Sequence, residues 1–344
     1  MKNKSKLISA LAGVMLAASL SPVAISSANA ATPTFKSNES TLPVGYSKPT
    51  KNQKLRLAYL NPFGGNEFLD AMGTAMKKAT TKLGGTLIIL DGKGDVNTQV
   101  SQLQQLTAQK VDGIFVFALD PNSMKPALAK AKAAGIKLIS IDENFAGNDI
   151  GVYDSQIMQR RDEAAYLGAK HMASLIGPGS SFATIDFAIA VPSIVYSIVR
   201  GKKWATDFGL IFAGNASNPS DDIAGGTTAG TQILSNYPGI KGIIAYNDPS
   251  AIGASSAAKA ASVTGVTFGG QNGGSDARAG ITSGNLSYTL QLAAPSMGQF
   301  AAWGLYNAKQ GKKLAKKVRA KAPVLVTSAN IGSVPSWAKE LASM

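Results

Sequence analysis

The chain has 344 residues, with 34 lysines and arginines against 20 aspartates and glutamates, a formal charge of +14 and no cysteine. It is too long for one ordinary core and suits two domains. The missing thiols exclude disulfides, thiolate nucleophiles, Cys-metal centres and a cysteine-lipidated anchor.

Lys2, Lys4 and Lys6 precede an apolar run from Leu7 to Leu20, and Ser21-Pro22 leads to Ala28-Asn29-Ala30. A basic head, an apolar middle and a small-x-small end is the layout of a cleaved secretory signal. A spanning anchor would need ~20 uninterrupted apolar residues, which Ser, Pro and Asn deny. Residues 1–30 are therefore expected to be removed, leaving a charge of +11 in a periplasmic or otherwise exported protein. Residues 31–53, rich in Ser, Thr, Pro, Asn and Lys, read as a disordered leader.

From Leu55 the chain alternates. Strands are expected at 55–60, 86–90, 113–117 and 137–141, with helices at 68–83, 97–108 and 123–134. The first helix carries apolar residues from Phe68 to Leu83 in a 3.6-residue rhythm, and Gly84-Gly85 stops it. After Asp154 the alternation restarts. Helices are expected at 162–175, 195–208, 227–236 and 251–262, with strands at 182–186, 209–212, 242–245 and 266–268. Uniformly apolar strands alternating with helices indicate parallel sheets covered on both faces. The fold class is α/β, with two similar lobes. Seven cations between Lys309 and Lys321 read as a solvated helix end or loop.

Four segments resemble the periplasmic ribose- and galactose-type sugar-binding proteins, whose fold is shared by LacI-type effector domains. They are Asn66-Glu67-Phe68 with Gly73 and Lys82-Leu83-Gly84; Gly113 to Asp120 with Ala134 to Asp142; Ile243 to Asp248 with Ala251, Gly253 and Ala254; and Tyr288 to Gln291 with Pro295, Met297 and Gly298. The resemblance spans about Leu55 to Ser328. It implies two doubly wound parallel-sheet lobes, 54–153 plus 292–324 and 154–291 plus 325–344. Three hinge strands would join them near Val152–Ser155, Thr289–Leu292 and Val324–Ser328. The ligand would lie between the lobes, outside the carboxyl ends of the strands.

A sugar needs side chains that both donate and accept, and an aromatic platform. The candidates are Asn66, Phe68, Asp142 and Glu143 from the first lobe, and Asn247, Gln271, Asn272 and Gln291 from the second. Asp248 reads as a helix cap. Ribose-type proteins carry an Arg directly after the position of Asp142 and another near Ile198. Neither is present here, and Ala188 to Tyr196 is unusually apolar. The missing arginines argue against ribose itself, and the apolar segment suggests a ligand with fewer hydroxyls, a deoxy sugar or a partly apolar solute.

No cofactor and no metal site is expected. His171 is the one histidine and has no partner histidine, so a structural role is favoured over catalysis. Gly225-Gly226 and the glycines at 269–270 and 273–274 lack phosphate-loop spacing and read as turns. The resemblance implies a monomeric solute-binding protein, not an enzyme, that carries a small sugar-like molecule to an ABC permease. The alternative is a sensory protein of the same fold presenting ligand to a chemoreceptor or sensor kinase. The export signal occupies the place where a repressor would carry DNA-binding helices, which argues against nucleic acid.

Overall fold

The computed structural model describes residues 43–141 and 150–344. The signal segment, most of the expected leader, and the candidates Asp142 and Glu143 lie outside them. In chain order the elements begin with β1 (Arg56–Asn61), α1 (Glu67–Lys82), β2 (Thr86–Asp91), α2 (Val96–Ala108), β3 (Gly113–Val116), α3 (Pro121–Ala133), β4 (Lys137–Ile141) and β5 (Ser155–Met158). There follow α4 (Arg161–Ile176), β6 (Ser181–Phe187), α5 (Pro192–Asp207), β7 (Ile211–Asn218), α6 (Ile223–Asn236), β8 (Gly242–Ala245), α7 (Asp248–Ala260), β9 (Thr267–Asn272), α8 (Ser275–Thr282) and β10 (Tyr288–Gln291). The chain ends with α9 (Ala294–Lys309), β11 (Lys317–Arg319), β12 (Val324–Thr327) and α10 (Trp337–Ser343).

Two six-stranded sheets result, ordered β11-β5-β4-β3-β1-β2 and β12-β10-β9-β8-β6-β7. The first is parallel throughout. The second is parallel except where β12 runs antiparallel to β10. This matches the two doubly wound lobes expected. Central strands such as β3 and β8 are buried along their whole length, as continuous apolar runs require.

The boundaries differ from expectation. Ser155–Met158 completes the first sheet by pairing with both β4 and β11, so the first crossing follows Met158. Val324–Thr327 pairs within the second sheet, so the third crossing precedes it, at 320–323. The tail then returns to the first lobe. Trp337 packs its ring 5.7 Å from Phe68, and Lys78 Nζ donates to Leu341 O at 2.7 Å.

Residues 43–53 are not a loose leader. Tyr46 is fully buried and donates its hydroxyl to Ser155 Oγ at 2.7 Å. Asn307 Nδ2 donates to Gly45 O and Ser47 O, both at 2.8 Å. One aromatic anchor and a pair of amide bonds tie this polar stretch to α9. Gly225-Gly226 is likewise no turn. It lies in the first turn of α6, where a Cβ on Gly226 would meet Ser250 Cα at 2.6 Å, so the missing side chain lets α6 and α7 touch. His171 stands edge-on to Tyr288, centroids 5.1 Å apart, and burial holds its pKa down, favouring the neutral ring.

Candidate ligand cleft between the lobes

The carboxyl ends of the two sheets face each other across the crossings. From the first lobe, Asn66 caps α1: its Oδ1 accepts from Phe68 N at 3.1 Å and Leu69 N at 3.3 Å. That bond fixes the rotamer and aims Nδ2 across the cleft, where it donates to Asp221 Oδ2 at 2.8 Å. Phe68 is buried between Trp337 and the Arg161 guanidinium, whose carbon lies 5.6 Å from the ring centroid.

The second lobe answers with a polar cluster. Asp221 follows β7 in a left-handed conformation, φ 61°, which aspartate tolerates. Asn218 Oδ1 holds it there by accepting from Ser220 N and Asp221 N, both at 3.0 Å. Asp221 Oδ1 accepts from Tyr246 Oη at 2.7 Å and Asn247 Nδ2 at 2.8 Å. Asn247 also caps α7, its Oδ1 accepting from Ser250 N at 2.9 Å. Arg161 is 3% exposed. Its Nε donates to Gln159 Oε1 at 2.8 Å, and its two terminal nitrogens reach Gln271 Oε1 and Asn272 Oδ1, both at 3.5 Å.

Burial pushes the Asp221 carboxyl up, opposed by its bonds from Tyr246 and Asn66 and by the nearby Arg161 charge. Asp248 is pushed up to about 7, chiefly by burial, with the hydrogen bond from Gly273 N working the other way. Tyr246 is raised by burial and by the adjacent Asp221 charge.

Two adjoining cavities occupy the cleft. One of about 370 Å³ has Asn66, Phe68 and Trp337 on one side and Asp221, Asp248 and Asn272 on the other. A smaller one, about 40 Å³, is walled by Phe63, Phe117, Phe187 and Tyr246, with Val191 and Ile194 from the apolar segment noted above. Phe63 and Phe187 meet edge to face at 5.7 Å across the lobes, and Phe187 stacks on Tyr246 at 5.4 Å.

Asn66, Phe68, Asn247 and Asn272 thus converge on one cleft. Gln271 sits a layer behind, its Nε2 donating to Ser197 Oγ at 3.2 Å. Gln291 turns away, into a separate cavity of about 480 Å³ beside Lys321 and Glu340. Its Nε2 donates to Pro335 O at 2.8 Å, so the hinge strand carries it outside the cluster. Asp248 is not the cap of α7, because Asn247 performs that role; its Oδ2 instead accepts from Gly273 N at 2.7 Å. Arg200 lies over Trp204 and Tyr196.

Asp221 and Arg161 were not among the sequence candidates. Their signals are faint: Asp221-Asp222 after Pro219 offers two carboxylates where one cap suffices, and Arg160-Arg161 opens a helix whose first turn should favour acids.

With this geometry in view, the comparisons with known proteins are decisive. A profile of the periplasmic binding protein domain matches residues 57–313. The chain belongs to that family. Its relatives include the ribose import binding protein of Bacillus subtilis, 24% identical over 256 residues, covering 74% of this chain and 82% of the relative. The D-apiose import binding protein of Actinobacillus succinogenes is 28% identical over 233 residues, covering 66% and 73%. Among solved structures, an ABC transporter solute-binding protein from Agrobacterium vitis with bound D-fucose superposes with a TM-score of 0.75 at 22% identity, covering 81% and 97%. The family is one of extracytoplasmic solute-binding transport proteins.

Proposed function

We propose that the protein binds a monosaccharide or polyol between its lobes and delivers it to an ABC permease. One observation carries this reading. Amide, carboxylate and guanidinium side chains from strand and helix ends of both lobes converge on a single cleft bordered by aromatic rings. Such a set can donate to and accept from ring hydroxyls while Phe68 or Phe187 covers a CH face. The binding residues proposed are Asn66, Phe68, Arg161, Asp221, Asn247 and Asn272, together with Asp142 and Glu143, which lie outside the described residues.

Closure about the crossings would be stabilised by ligand contacts made to both lobes at once. The import names of the relatives favour delivery over sensing. The apolar wall of Val191, Ile194, Phe117 and Phe187 favours a sugar with a deoxygenated edge. Export through cleavage near Ala30, a monomeric state and the absence of catalysis belong to the same reading.

The test is a thermal-shift screen of the exported protein against pentoses, hexoses, 6-deoxyhexoses, polyols, nucleosides and small acids, followed by calorimetry. A ligand present at 100 times its Kd should stabilise by about 2.7 kcal/mol. Stabilisation by a sugar or polyol, lost in Asp221→Ala, supports the site. Stabilisation by nucleosides or acids alone refutes the sugar reading. Mass spectrometry of the exported chain checks the start at Ala31.

A further inference from the structure

The charge of the molecule is unevenly divided. Between Arg161 and Gln291, which covers nearly all of the second lobe, eight basic residues balance eight acidic ones. From position 292 onward there are eight basic residues and one acidic. The excess therefore belongs to the first lobe and the segments packed on it.

Within the first lobe the fold concentrates it further. All six strands are parallel, so their amino ends share one pole, opposite the ligand cleft. Residues 43–54 and 307–317 are stitched together there: Ala315 N donates to Val44 O at 3.0 Å, and Gln310 Nε2 to Lys51 O at 3.1 Å. Two stretches far apart in sequence thereby set Lys48, Lys51 and Lys54 beside Lys312, Lys313 and Lys316, all exposed. The acids nearby, Asp112 and Asp154, are already engaged with Lys309 at 3.1 Å and Lys132 at 4.0 Å.

Helix dipoles explain cations in last helical turns, such as Lys82 and Lys130. They do not explain these six, which lie outside the helices. A solvated loop needs no such convergence of two distant segments.

We infer that this pole is a docking surface for an anionic membrane, and that it rests on phosphate-bearing lipid headgroups with the cleft turned away. Extracytoplasmic placement brings the protein to a lipid surface. Clustered lysines bind such a surface without a pocket, each adding to attraction that decays within a Debye length. This goes beyond the reading of the cleft and does not depend on which solute is bound.

The test is co-sedimentation of the exported protein with phosphatidylglycerol–phosphatidylcholine vesicles, and with phosphatidylcholine alone, at 20 mM and 500 mM salt. Two variants carry the same charge change: K312E/K313E/K316E at the pole and K170E/K241E/K259E on the second lobe. The expected result is partition onto anionic vesicles that salt abolishes, falling about tenfold or more in the pole variant and less than about threefold in the second-lobe variant. Melting temperatures of both variants should stay near wild type. Equal losses in the two variants would reduce the effect to bulk charge and overturn the proposal. Undiminished binding in the pole variant would overturn it, as would retention on DNA with none on anionic vesicles.

Discussion

The two faces of the cleft are built differently. Among the described residues, the first lobe's face is mostly apolar, with Phe63, Phe68, Leu69, Phe117 and Leu119, and two polar side chains reach across, Asn66 to Asp221 and Glu67 to Ser275 N. The second lobe's face is a continuous hydrogen-bonded cluster, with Arg161 bonded to Asn272, Asp221 to Asn218 and Tyr246, and Asn247 to Ser250. A face whose polar groups are already held needs little reordering when a guest arrives. The second lobe is therefore suited to receive the polar groups of a ligand first, and the first lobe to exclude water on closing.

That asymmetry makes Arg161 the most damaging residue to remove. It is the buried cation among Asp221, Asp248 and the amides of Gln271 and Asn272. Arg161→Ala should cost roughly 3–5 kcal/mol, divided between folding and ligand affinity, because it leaves buried carboxylates uncompensated. Arg161→Lys keeps the charge but not the planar fork and should recover only part. Melting curves with calorimetry measure both; an alanine variant that bound sugar like wild type would place recognition on the first lobe.

The second prediction concerns pH. The folded carboxyl of Asp248, raised to about 7, lies above an unfolded value near 3.9. Between these values the native state binds more protons than the unfolded chain. Stability is then greatest below pH 4 from this group and falls as pH rises to about 7, by at most about 1.4 kcal/mol per pH unit. Asp221 is raised too and acts in the same direction. Asp95 and Asp222, held low by hydrogen bonds at helix starts, act below the ordinary carboxylate range and do not cancel it, whereas His171, held down by burial, opposes it below about pH 6.5. Denaturant midpoints at pH 5, 6, 7 and 8 should decline, and Asp248→Asn should flatten the decline. A flat wild-type profile would mean that the second-lobe cluster is more hydrated than its packing indicates.

The lobes and their parallel sheets were legible in the sequence because apolar strands and capped helices report themselves locally. Asn66 and Asn247 were named through the family resemblance; the cap of α7 was read as Asp248, a role that Asn247 takes instead. Asp221 and Arg161 were not. Asp221 enters the cleft through a left-handed turn set by Asn218, and Arg161 through a crossing placed later than the sequence suggested, since Ser155–Met158 joins the first sheet. Gln291 differs in the opposite sense: its place at the end of β10 did not reveal which way the side chain points. Side-chain direction at a crossing is fixed by both lobes together, information no local window contains.

Replacing Asp221 by Asn tests the cluster without changing its shape. The carboxylate accepts three side-chain donors, from Asn66, Tyr246 and Asn247, and an amide cannot accept all of them. Asp221→Asn should cost about 1.5–3 kcal/mol in ligand affinity, with a smaller loss of stability since burial already disfavours the charge. Titration calorimetry against the ligand found by screening reads the loss directly.

The mildest change separates closure from recognition. Glu67 stands at the start of α1, and both carboxylate oxygens accept from Ser275 N at 2.8 Å, at the amino end of α8 on the opposite lobe. A Cβ on Gly274 would meet Glu67 Oε2 at 2.2 Å, so the contact depends on a bare backbone there. A carboxylate at a helix amino terminus contributes about 0.3–1 kcal/mol. Glu67→Gln keeps the length but removes the charge, and should shift lobes toward the open form by that amount. Solution scattering should show a slightly larger radius of gyration without ligand and wild-type dimensions at saturation. If the second lobe does most of the recognising, affinity should weaken no more than about fivefold. A larger loss would mean that the first lobe, through Glu67, holds the guest as well as covering it.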